Sequence, residues 1–99
     1  MYLEGRDRLV VSAIDIFELY KVLRRDFSEE HALEATAAMR RAEVIPVDET
    51  LALEAADRSL AHRLAIADAI VYATARRAGA ILVTGDTDFD NLPDVVMIR

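Results

Sequence analysis

The order of apolar and polar positions divides the chain into short apolar runs and longer periodic segments. "LVVSAI" at 9–14 is short and β-branched, and predicts a strand or strand end running into a helix. From 15 to about 25 the period turns helical, with Ile16, Leu19, Tyr20, Leu23 and Phe27 recurring at three- and four-residue spacing. Ser28 offers an N-cap for a second helix. Glu29 and Glu30 suit its positive end, and Arg40 and Arg41 its negative end near residue 42. "VIPV" at 44–47 predicts a short strand, at an edge because Pro46 has no N–H to give a ladder. Asp48 or Thr50 caps a helix to about residue 61, and "HRL" marks a break or a kink. A further helix covers about 65–78, with Gly79 as its stop. "AILVT" at 80–84 is a continuous apolar strand, expected to be buried on both faces in a parallel sheet. "GDTDFDNLPD" reads as a loop and "VVMIR" as the last strand.

Strands alternating with helices predict an α/β fold with a mostly parallel sheet flanked by helices. The 99 residues suffice for a single domain, 1–99, with one modest core. A hydrophobic content of 54% excludes a disordered chain. No apolar run approaches the roughly 18 residues of a membrane span. Charge interrupts "MYLEGRDRLVV" before a signal-peptide core can form. There is no cysteine, which excludes disulfides and zinc–thiolate sites. A cytoplasmic protein is the expectation.

The net charge of −6 argues against a broad basic surface for nucleic acid, but not against a nuclease, because metal-binding acids themselves make a chain acidic. Most of the cations fall in small groups: Arg6 and Arg8; Lys21, Arg24 and Arg25; Arg40 and Arg41; Arg76 and Arg77. Most are expected to solubilise helix faces, and a few are suited to phosphates.

The carboxylates are the sharpest candidates for chemistry. Asp68 has only apolar neighbours for four residues on each side, in "LAIADAIVYATA". Two readings stand for it: a wet acid in a helix's first turn, or a metal ligand facing a cleft. Glu18 has Ile14 and Val22 one turn away on its own face, so it belongs at the border of a buried face or lies flat at a helix boundary. Asp15 either joins Glu18 or caps the helix. Asp86 and Asp88 follow "AILVT", where parallel α/β sheets place their ligands, and Gly85 lets the chain turn there. Phe89 is expected to tuck back and anchor the loop, while Asp90 reads as a turn residue. His31 and His62 have no partner spacing and are expected at the surface. Ser12 and Ser59 lie in no nucleophile motif, and three glycines in all leave no phosphate loop. An all-oxygen cluster suits a hard cation, Mg²⁺ or Mn²⁺, and acids held together without one push a pKa upward.

These residues resemble the PIN domain family, whose small prokaryotic members are VapC-type toxins of toxin–antitoxin pairs. "IADAIVYATARRAGAILVTGDTDF" carries the most specific likeness: a helix aspartate, a glycine, an apolar strand, then T-G-D-x-D-F. "VVSAIDIFELYKVL" is similar to the strand-into-helix segment that bears a glutamate ligand, and "LPDVVMI" to the closing strand. The resemblance implies catalytic and ligand roles for Glu18, Asp68 and Asp86, with Asp88 in or beside the site. It implies that Thr84 supports the site by hydrogen bonding. It further implies a three-layer PIN-like fold and a metal-dependent endoribonuclease in which three or four acids hold Mg²⁺ or Mn²⁺ for hydrolysis of RNA. An antitoxin lying across the cleft is the implied protein partner.

The chain departs from the family at its start. The family opens with a central strand bearing an aspartate, whereas nothing before Leu9 reads as an apolar strand, and Asp7 in "EGRDR" is no substitute. The expectation is an N-terminally truncated domain with two strand edges left without a partner. Three resolutions are open: the sheet closes over the gap, a second copy or another strand-completing partner fills it, or the natural protein is longer. The alternative to a nuclease is a non-catalytic PIN-like module that binds RNA or protein.

Overall fold

The structure, a computed structural model, describes residues 2–5 and 8–98, with side chains described for 9–98. Its strands are β1 (Tyr2–Gly5), β2 (Arg8–Ser12), β3 (Glu43–Ile45), β4 (Ile81–Thr84) and β5 (Val95–Met97). Its helices are α1 (Ala13–Asp26), α2 (Glu29–Met39), α3 (Glu49–His62) and α4 (Ile66–Ala78).

The sheet order is β3-β2-β1-β4-β5. β2 and β3 pair in parallel, with Val10 opposite Glu43, and β4 and β5 do so with Leu82 opposite Val95. β1 runs antiparallel to both β2 and β4. Four strands therefore share one direction and β1 alone opposes them, which gives the expected mostly parallel α/β sheet. Pro46 follows β3, which is an edge strand as expected.

β1 corrects the expectation that no strand precedes Leu9. Residues 2–5 fill the slot between β2 and β4, pairing Leu3 with Val10 on one side and with Leu82 on the other. Two parallel neighbours leave a gap whose N–H and C=O rows accept a strand of either direction, and a short connection from Gly5 to Arg8 suffices for an antiparallel one. Arg6 and Asp7, and the side chain of Arg8, lie outside what is described.

Local chemistry sets the helix ends. Ser12 Oγ accepts from the Ile14 N–H at 3.2 Å, and the Asp15 carboxylate accepts from the Ser12 N–H at 3.1 Å, a reciprocal box that starts α1. Ser28 Oγ accepts from the His31 N–H at 3.1 Å and starts α2. α2 stops at Met39, earlier than expected, because Arg41 and Ala42 bond back to Ala38 and Met39 in a turn that delivers β3. Asp48 accepts from the Leu51 N–H at 2.8 Å and caps α3. "HRL" is a break: Arg63 takes the left-handed conformation, φ 57°, and Ser59 Oγ bonds the Leu64 carbonyl at 2.7 Å. Gly79, φ 64°, ends α4 as glycine does at little cost.

The core joins Val10 and Leu82 of the sheet to Leu51, Ala55, Leu64, Ala69, Tyr72 and Phe89. α4 packs on β2 and β4, α1 lies against β2 and α4, and α2 and α3 pair with α1 and α4. β4 is not buried on both faces as expected. Leu82 and Thr84 are buried against the core, while Ile81 on the opposite face is 45% exposed. Among the described residues no helix is long and apolar enough to cross a membrane.

Candidate metal centre

Asp68 stands in the first turn of α4, whose N-cap, Ala65, supplies no side-chain cap. Asp86 and Asp88 stand just past the carboxyl end of β4, in a short 3₁₀ turn at Thr87–Phe89. One carboxylate oxygen from each of Asp68, Asp86 and Asp88 lies within 4.8 Å of the others. Asp68 and Asp86 are half-buried and Asp88 is exposed.

The turn is built to aim these acids. The Asp86 N–H donates to Thr84 Oγ1 at 3.0 Å, and the Asp88 N–H donates to Asp86 Oδ1 at 2.9 Å. Thr84 is itself buried at the end of β4, so its hydroxyl is fixed to a rigid element. Phe89 is fully buried, anchoring the loop from below as its position predicted. Asp90 only closes the turn, its N–H donating to the Thr87 carbonyl at 3.0 Å, in keeping with a turn residue.

Charge crowding marks the site. The Asp68 carboxyl is pushed above its ordinary value, first by partial burial and then by the charges of Asp86, Asp88 and Glu18. Glu18 is thus within electrostatic reach of Asp68, although its carboxylate is not among the three whose oxygens gather. It stands exposed on α1. Asp15 closes the capping box of α1 on the Ser12 N-cap, and burial raises its pKa despite the bond from the Ser12 N–H.

Two further residues of α4 hold the loop. Tyr72 Oη donates to the Pro93 carbonyl at 2.9 Å, and the Arg76 guanidinium pairs with Asp94. They follow Asp68 by four and eight residues on one face of α4, and that spacing was the available signal. His62 is half-buried rather than simply at the surface, its ring edge-on to Tyr72 at 5.6 Å. His31 is exposed as expected.

The donor set fits a hard divalent cation. Three carboxylates converge with no sulfur or imidazole among them, their mutual repulsion is relieved by positive charge, and two of them come from a loop tied down at both ends. The fold has a counterpart. A toxin–antitoxin complex from Klebsiella pneumoniae contains a chain similar to this one in structure, with a TM-score of 0.77 and 25% sequence identity, covering 89% of this chain and 72% of that one. No curated protein matches it. The family model for the PIN domain matches residues 2–95. With the family model covering nearly the whole chain and the fold agreeing, the protein belongs to the PIN domain family.

Proposed function

We propose that this chain is a metal-dependent endoribonuclease of the PIN, VapC-toxin type. The observation that carries the reading is the convergence of Asp68, Asp86 and Asp88 from two separate elements at the carboxyl end of β4. In this reading those three hold Mg²⁺ or Mn²⁺. When bound, the cation lowers the pKa of a water and offsets charge on the phosphodiester. Asp86 and Asp88 keep their orientation through Thr84 and the 3₁₀ turn, so no reorganisation is needed as the substrate arrives. Glu18, within electrostatic reach of Asp68 from α1, serves in this reading as a further acid to hold the ion or to take up the proton released by the attacking water. Phe89 and Tyr72 hold the loop against the core and keep the carboxylates on one rim.

The likeness to a chain from a toxin–antitoxin complex supports an inhibitory protein as partner, alongside RNA as substrate. A second copy of the chain is the third partner in this reading, and solution mass tests it. A non-catalytic module is the competing reading. The strand between β2 and β4 supports that one, since it reads Tyr-Leu-Glu-Gly where the family carries an aspartate.

An RNA with both ends blocked and a fluorogenic pair inside tests the proposal, in Mg²⁺ and in Mn²⁺, with Asp68→Asn prepared in parallel. Cleavage by the wild type and not by the variant supports the enzyme. Equal cleavage by both points to a contaminant and removes the support. Binding of RNA without cleavage selects the module.

A further inference from the structure

α1 carries a second feature beside the acids. Phe17 is 57% exposed, an unusual placement for phenylalanine, and the Lys21 ammonium lies 5.6 Å from its ring centroid. Arg24 follows one turn later. Among the described residues neither Lys21 nor Arg24 has an acidic partner, whereas Arg25 is held by Asp26 at 2.8 and 3.0 Å. At about 100° per residue, Phe17, Lys21 and Arg24 fall within an arc of about 60°; Lys21 lies about 60° from Glu18, and Phe17 and Arg24 about 100° and about 120° from it. At 1.5 Å per residue, Lys21 and Arg24 stand about 4.5 and 9 Å along the axis from Glu18. An exposed aromatic ring and two available cations thus form one stripe, about a quarter turn round α1 from Glu18.

We infer that the Phe17–Lys21–Arg24 stripe on α1 is where single-stranded RNA lands beside the acidic site, a base stacking on Phe17 and phosphates meeting Lys21 and Arg24. This rests on the nuclease reading above. Charge complementarity favours a nucleic acid: the chain is acidic overall, at −6, and the three gathered carboxylates repel a phosphate backbone, so two cations without acidic partners among the described residues, beside an exposed ring, are where one can be held. A substrate strand therefore needs local positive charge next to them, and this stripe supplies it. A ring open to solvent adds a stacking platform that any base can use. The proposed role is positioning: the stripe orients the strand, and the acids act on it.

The test uses a fluorescein-labelled, mixed-sequence 2′-O-methyl RNA of about 12 nucleotides, which cannot be cleaved, read by anisotropy in Mn²⁺ over a range of salt. Phe17→Ala should weaken binding about tenfold, which is about 1.4 kcal/mol. Phe17→Tyr should bind as wild type. Phe17→Leu should bind as weakly as alanine, because an aliphatic side chain does not stack. Lys21→Ala and Arg24→Ala should each reduce the slope of log K against log salt by about 0.7, and Leu60→Ala on α3 should change nothing. Wild type that fails to bind, Phe17→Ala within twofold of wild type, or Phe17→Leu that binds as wild type would each overturn the inference. So would a Phe17→Ala protein that loses a co-purifying protein yet keeps its RNA affinity, since the stripe would then serve a protein partner. Cleavage of the unmodified RNA is scored separately. Phe17-dependent binding without cleavage defeats the nuclease reading alone, and cleavage with Phe17-independent binding defeats the stripe alone.

Discussion

Replacing Asp68 by asparagine in the metal-free protein removes one of three charges whose oxygens lie within 4.8 Å of one another. In water, unit charges at that distance repel by about 0.9 kcal/mol per pair, so the change relieves about 1.7 kcal/mol against Asp86 and Asp88. An opposing term is the loss of a negative charge in the first turn of α4, worth about 0.3 to 1 kcal/mol. Repulsion wins, and the variant should be more stable than wild type by about 1 kcal/mol at neutral pH in chelator. The sign with pH follows from the raised folded-state pKa. Stability associated with Asp68 is fully present below the ordinary carboxylate value of 3.8 and is lost as pH rises through the higher folded value. The gap between variant and wild type should therefore be near zero at about pH 3 and open above it. Urea unfolding followed by circular dichroism, in EDTA across that range, reads both quantities. A variant less stable than wild type at neutral pH, or a gap independent of pH, would refute the crowding argument.

Tyr72→Phe should cost about 1 kcal/mol, because the Pro93 carbonyl loses its donor, and amide exchange should accelerate across residues 85–94 while α2 is unaffected. Removal of residues 1–7 should free the facing edges of β2 and β4 and convert the protein to a self-associating species, read as molar mass by light scattering. An unchanged mass and stability would deny β1 its place in the sheet.

The gathering of Asp68, Asp86 and Asp88 was legible because its signals are local, whereas Glu18, expected with them, is not among the gathered oxygens. Asp86, Asp88 and Thr84 share one strand end, and Asp68 stands out in an apolar helix. The caps at Ser28 and Asp48 and the stop at Gly79 were readable for the same reason, each acting within a few residues. β1 was not legible. Four residues with a glutamate and a glycine show no alternation, and only the open slot between β2 and β4 gives them a place. Nor were Tyr72 and Arg76 visible as loop anchors, since their partners at Pro93 and Asp94 are remote in sequence. The half-open face of β4 has no sequence signal either, because "AILVT" reads the same whether one or both of its faces are covered.

Titration calorimetry with Mn²⁺ on wild type and Asp86→Asn distinguishes a built cation site from a merely acidic rim. Asparagine keeps an oxygen to accept from the Asp88 N–H, so the turn survives while a charged ligand is lost. Asp68, Asp86 and Asp88 acting as one site predict saturable heat with wild type and none with the variant. Equal heats, or no heat in either, would contradict it.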